Sequence, residues 1–326
     1  MNKNGPALAN EHYFRLYETV KVTGRYCHHL FLFLLLLISS HMNAQDSVRL
    51  PLNKNRLALV AASEGALYAG SVVGEYQFWY KGFARSNFHF FNDNNEWMQM
   101  DKSGHIFVAY YGGKVGYELL KWTGLKENKC VWYGGLLGFA FLANVEILDG
   151  HSAEWGFSWG DFAANAFGSA AFISQQLAWK EQRFLIKYSY HNTAYAAYRP
   201  QLLGATSAER LMKDYNGHSI WISASPGTFM GAKSKFPKWL CFSVGYGAEG
   251  MTGGYSNPLF AEDGKAIPHF DRYRQFYFSM DVDLSKIPVK CVFLKKVLNT
   301  VNFIKVPFPA LEYNCRSGFK GHWLYY

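Results

Sequence analysis

The 326-residue sequence predicts an α+β fold: an N-terminal bundle of about four apolar, small-residue-rich helices, then an antiparallel β-sheet and a C-terminal amphipathic helix. Three observations carry this. Between Leu57 and Trp179, apolar stretches of helix length alternate with short polar joints. After Glu181 the apolar residues recur at every second position instead of every third or fourth, which is the strand period. The stretch from FYFSMDVDL to HWLYY then reads as strand, amphipathic helix and irregular tail.

The first 45 residues do not belong to this fold. In GRYCHHLFLFLLLLISSHMNAQDS, basic Lys21 and Arg25 precede an apolar run from Leu30 to Ile38 and small polar residues ending in Asn43, Ala44 and Gln45. That is the plan of a secretory signal peptide, and the run is too short to span a bilayer, so cleavage is expected near Ala44 or Gln45. Cys27 lies before the apolar run and position 46 is Asp, so no lipobox cysteine follows the cleavage point. Three regions result: 1–45, signal peptide with an upstream extension; 46–181, helical bundle; 182–326, a β-rich region with a C-terminal helix, packed on the bundle as one unit.

Within the bundle, RLALVAASEGALYAGSVVGEY forms the first helix, with Ala61, Gly65 and Ala69 four apart and then Gly70 and Gly74, a ridge that permits close helix approach. Further helices are expected over about 103–122, 131–149 and 162–179. Glu64, Glu75, Lys114, Glu118 and Asn144 interrupt them as clean membrane spans. Strand alternation is strongest in RQFYFSMDVDL, where Phe276, Phe278 and Met280 share one face and Gln275, Tyr277, Ser279 and Asp281 the other. It recurs in FLIKYSYH, SIWISAS and WLCFSVGYG, with a short helix in SAERLMKDYNG capped by Ser207. Four strands are too few for an outer-membrane barrel, which needs at least about eight. The expectation is therefore a sheet that covers the bundle.

Aromatic residues make up 18% and charged residues 17%, a balance produced by a large aromatic core or by surface that faces lipid or protein. Removing residues 1–45 takes four basic and two acidic residues from the formal +9, and the +7 left on the exported chain points to anionic headgroups or cell-wall polymer. The basic residues lie beside apolar runs, as in KSKFPKW, with no DNA- or RNA-binding motif, which excludes nucleic acid. Cys130, Cys241, Cys291 and Cys315 show no metal-knuckle or redox spacing; Cys291 and Cys315 are the nearest pair for a disulfide, and four unpaired thiols are the alternative.

Charge is sparse in EILDGHSAEWGFSWGDFAAN, yet the stretch holds Glu146, Asp149, Glu154 and Asp161. Ser158 three residues ahead of Asp161 makes a capping-box-like helix start where the dipole favours an acid. Glu146 and Asp149 end the third helix, where the dipole disfavours them. In MDKSGHIFVAYYGG, Asp101 and His105 lie four apart with Lys102 alongside, so Lys102 or His105 is expected to neutralise Glu146 and Asp149. Asn165, one turn beyond Asp161, faces the same centre. Two alternatives stay open: a hydrogen-bonded salt-bridge cluster that fixes helix register, or a divalent-metal site with His105, Glu146 and Asp149 as candidate ligands. No cofactor is expected, and no nucleophile elbow, Walker loop or dinucleotide fingerprint appears in context.

DKSGH at 101–105, EILDG at 146–150, WGFSWGDFAANAFG at 155–168 and KDYNGHSIWIS at 213–223 resemble the YfiM-like predicted periplasmic lipoproteins, in their longer Bacteroidetes-type version. A more distant similarity, to VanZ-like envelope proteins, rests on the same Asp-Lys, Glu and Asp-Asn order. The resemblance implies an exported envelope protein with no established reaction. Two function classes follow: a non-enzymatic structural or interaction protein at the outer membrane, contacting membrane lipid or envelope proteins, or a membrane-surface enzyme acting on lipid or cell-wall precursor through the Asp/His/Glu centre.

Overall fold

The computed structural model describes residues 51–75, 84–153, 155–231 and 233–325. The signal segment and Glu154 lie outside the described residues. Four long helices come first: α1 (Lys54–Glu75), α2 (Met100–Trp122), α3 (Glu127–Asp149) and α4 (Trp159–Trp179). Helix α3 begins upstream of the expected start and includes a π-helical turn, Cys130–Gly134. Its 23 residues are long and apolar enough to cross a membrane. A bundle-core helix passes the same test, and α3 packs on both α2 and α4.

Helix α2 is the central element. Its Phe107, Val108, Tyr110, Tyr111, Val115 and Leu119 join Phe141 and Leu142 of α3 and Phe172 and Ile173 of α4 in the main core. The close approach expected of the α1 ridge occurs elsewhere. A methyl group on Gly65 or Gly70 of α1 would meet nothing within 4 Å, whereas one on Gly113 of α2 would lie 2.6 Å from the carbonyl oxygen of Gly135. One on Gly116 would lie 2.6 Å from that of Gly134, and one on Gly138 of α3 2.4 Å from that of Ala109. Small-residue spacing says where a helix permits contact; a partner carrying the matching ridge decides where contact is made.

Six antiparallel strands follow as a meander, in spatial order one to six: β1 (Phe184–Tyr190), then helix α5 (Ser207–Lys213), β2 (His218–Ala224), β3 (Leu240–Glu249), β4 (Tyr273–Val282), helix α6 (Val292–Thr300), β5 (Phe308–Asn314) and β6 (Gly318–Tyr325). The cap of α5 is Thr206 rather than Ser207; its hydroxyl accepts from the Glu209 amide at 3.2 Å. The expected irregular tail is the β5–β6 hairpin. Pro309 and the buried Glu312 had hidden its alternation. All four described cysteines are free thiols.

The sheet turns its polar face inward and its apolar face out. On β4, Phe276 and Phe278 are 51% and 52% exposed, while Gln275, Tyr277, Ser279 and Asp281 are buried. The polar face turns inward because it is self-sufficient. Lys187 of β1 meets Asp281 at 3.0 Å with both side chains fully buried, and the Ser223 hydroxyl donates to Asp281 at 2.6 Å. Glu312 accepts from Gln275 at 3.0 Å and from Asn314 at 2.6 Å. The sheet curls until the Tyr325 hydroxyl of β6 donates to that of Tyr277 on β4 at 2.7 Å and lies 3.3 Å from Ser219 on β2. In the main core the outer face of the sheet meets the bundle at its β1–β2 side, through Ile186, Tyr188 and Ile220.

The glycine contact gives an internal comparison within α2. Gly104→Ala, with nothing near its added methyl, is expected to raise stability by about 0.5–1 kcal/mol through helix propensity. Gly113→Ala must push α3 away and is expected to lose about 1–3 kcal/mol. Thermal unfolding followed by circular dichroism measures both.

Candidate functional site

The polar centre is built at the start of α2. Three successive residues ahead of that helix, Trp97, Met98 and Gln99, have φ of 47°, 52° and 64°, a left-handed run that costs roughly 1–2 kcal/mol per residue. The sheet region holds them. The Trp97 amide donates to the Gly254 carbonyl at 2.9 Å, the Met98 carbonyl accepts from the Tyr246 hydroxyl, and Arg274 donates to the Gln99 side chain at 2.6 Å. This turn fixes where α2 begins and so where Asp101, Lys102 and His105 point.

Lys102 Nζ lies 2.7 Å from Asp93 Oδ1, 2.9 Å from Asp161 Oδ1 and 3.6 Å from Asp101 Oδ2. His105 Nδ1 is 2.9 Å from Asn165 Oδ1 and 3.9 Å from Glu146 Oε1, and its Nε2 is 3.8 Å from Asp161 Oδ1. Ser158 ties the helices together. As the N-cap of α4 its hydroxyl accepts from the Asp161 amide at 3.1 Å and donates to Asp93 at 2.6 Å, while its own amide donates to Glu146 Oε2 at 3.2 Å. From the sheet region the Tyr215 hydroxyl donates to Asp101 Oδ1 at 2.7 Å.

Six of the seven residues singled out from the sequence meet here: Asp101, Lys102, His105, Glu146, Asp161 and Asn165. The pairing differs from the expected one, since Lys102 is held by aspartates on both sides of α2 and His105 reaches Asp161 as well as Glu146. Asp149 is half-buried and acts through its charge on Glu146. Asp93 and Tyr215 were missed, because both lie outside the periodic helices and strands, and only the acid-and-amide run NDNNE hinted at Asp93.

Burial drives the titration of the centre. It pushes Glu146 up to about 9 against the pull of His105, with the charges of Asp161 and Asp149 adding to the rise. It raises Asp161 to about 7, again against His105. Burial alone would lower His105, but Asp161, Asp101 and Glu146 outweigh it and bring the imidazole up to about 9. Lys102 is likewise raised by Asp101 and Asp161 despite its burial, and Asp93 is lowered by hydrogen bonds from its neighbours. Burial thus favours the uncharged forms of Glu146 and Asp161, and the carboxylates around Lys102 and His105 favour the cationic forms of those two side chains.

Asp101, His105 and Asp161 each offer a ligand atom within 4.8 Å of one another, a set of types that suits a divalent cation. Asp161 Oδ1 already lies 2.9 Å from the Lys102 ammonium. The Lys102 ammonium thus contacts two of these three side chains, Asp161 and Asp101.

Residues 89–175 match the model of a family described as "Predicted periplasmic lipoprotein (DUF2279)". The matched segment runs from just ahead of α2 through most of α4 and holds the whole centre except Tyr215. The similarity agrees with an exported protein of the periplasm or outer membrane. No curated protein and no solved structure matches the chain.

Glu146, Asp161 and His105 all titrate above their ordinary values of 4.5, 3.8 and 6.5. The stability each contributes is complete below the ordinary value and is lost as pH rises through about 9, 7 and 9 respectively. The melting temperature is therefore expected to fall from about pH 4 to about pH 9, and Glu146→Gln to flatten that fall by several degrees. His105→Ala is expected to cost about 1–3 kcal/mol at neutral pH. Adding Glu146→Gln should restore part of this loss, a non-additivity that a double-mutant cycle by thermal unfolding reads directly.

Proposed function

We propose that the protein is a non-enzymatic structural or interaction component of the cell envelope, working at the outer membrane, and that its polar centre locks helices α2, α3 and α4 to the sheet. The observation that carries this reading is the Lys102 ammonium among Asp93, Asp161 and Asp101. It balances charge internally and spans elements far apart in sequence, which is what a register-fixing network does. A reaction centre keeps a poised group open to substrate; here Asp161 and Glu146 are 4% and 2% exposed. The YfiM-like motifs DKSGH and WGFSWGDFAANAFG support the same compartment.

Metal analysis of the processed protein after dialysis tests the structural role. The expected result is no stoichiometric divalent metal, with His105→Gln and Asp161→Asn changing stability alone. One equivalent of metal per chain, lost in Asp161→Asn, would overturn it in favour of a membrane-surface enzyme. Location is read separately: N-terminal sequencing should find a start near Gln45 or Asp46 in the outer-membrane fraction, and an unprocessed Met1 on a cytoplasmic product would refute export.

A further inference from the structure

The inversion of the sheet leaves an outer surface whose chemistry specifies what covers it. Outward side chains on five successive strands are apolar, among them Ile222, Val244, Phe276, Phe278, Leu311 and Trp323, the last 91% exposed. Contiguous apolar surface beyond a few hundred Å² is rare on water-soluble monomers. The sheet cannot remove it by turning over, because the opposite face carries the buried Lys187–Asp281 pair and the Glu312 hydrogen bonds. Apolar-out, polar-in alternation is the arrangement of strands that meet hydrocarbon. Strands β3 and β4 have 10 residues each, within the range of about 9–11 that tilted strands use in a bilayer.

One end of the sheet indicates the headgroup. The β2–β3 connection (225–239) has no Asp or Glu and the β4–β5 connection (283–307) has only the buried Asp283; besides Lys286, which pairs with Glu181 at 2.6 Å, they carry Lys233, Lys235, Lys238, Lys290 and Lys295, among other lysines. Helix α6 lies in the second connection with Val292, Phe293, Leu294 and Val297 exposed beside these lysines, the composition of a helix that rests in a membrane interface. The Trp179, Phe184 and Phe229 rings cluster at the same end, with the Arg183 guanidinium 5.1 Å from the Trp179 ring centre. The opposite end pairs its charges internally, as Arg199 with Glu262 and Lys265 with Asp263.

We propose that the outer face of β2–β6 seats in the hydrocarbon of a bilayer, with α6 and the lysine-bearing connections at anionic headgroups. The inference deepens the envelope reading and takes only the compartment from it. Failure of lipid binding would leave N-terminal processing and the metal result untouched, so the two are separable.

The test uses the processed chain, purified in detergent and diluted into vesicles of phosphatidylcholine with or without phosphatidylglycerol. Flotation with both vesicle types is expected, tighter with phosphatidylglycerol. Changing Lys233, Lys235, Lys238 and Lys290 together to Gln should weaken binding to phosphatidylglycerol vesicles by about tenfold or more and leave phosphatidylcholine binding unchanged. Acyl chains brominated near their midpoint should quench tryptophan fluorescence, with Trp323→Phe removing part of the quenching. Phe278→Lys, an outward change that leaves the far-ultraviolet spectrum intact, should reduce the floated fraction several-fold. The proposal is overturned if the unaltered chain stays at the base of the gradient as a monomer. It is equally overturned if the chain forms a discrete dimer that Phe278→Cys cross-links, or if it floats without acyl-chain quenching.

Discussion

Lys102 sits in the first turn of α2, at the helix end whose free amide groups disfavour a cation, and is held there by Asp93, Asp161 and Asp101. Each partner comes from a different part of the chain. Asp93 belongs to the segment before the helix, Asp101 to α2 itself and Asp161 to the first turn of α4, where the dipole favours an acid. Asp101 in turn accepts from Tyr215 of the sheet region. Below this contact, Trp97 and Met100 pack with Leu203, Ala248 and Met251, so the strained turn that aims Lys102 is clamped by the β-rich half. Loss of the ammonium would leave buried carboxylates facing one another across all of these joints.

Much of this centre was legible because it violates local rules. Acids at the C-terminal end of a helix are unfavourable alone, and a sequence that places them so must compensate them in space. That reasoning reached Glu146, Lys102 and His105. It could not assign partners, since helix spacing constrains only residues on one element, and Asp93 and Tyr215 sit on irregular segments. The same limit explains the α1 ridge: four-residue spacing of small side chains is visible in α1, yet the matching ridges lie on α2 and α3.

The sheet shows a different limit. Alternation in RQFYFSMDVDL correctly groups Phe276, Phe278 and Met280 on one face, but period-two spacing carries no sign and leaves open which face turns inward. The sign is set by long-range pairing. Lys187 on β1 finds Asp281 on β4 across three strand steps, and Tyr325 near the C-terminus closes on Tyr277. Local pattern supplied the strands, and the polar contacts between distant strands decided their orientation.

Bundle and sheet thus solve the same problem in the same direction. Each places charged groups where the protein itself satisfies them, and each leaves apolar side chains exposed: Phe167 and Trp132 in the bundle, the outward row in the sheet. In water this would sacrifice the hydrophobic burial that normally offsets the cost of desolvating ions. Where the outer surface meets hydrocarbon, the balance reverses. Apolar side chains need no burial, polar groups must be paired internally, and networks such as Lys102–Asp161 and Lys187–Asp281 become the means by which the fold is made unique.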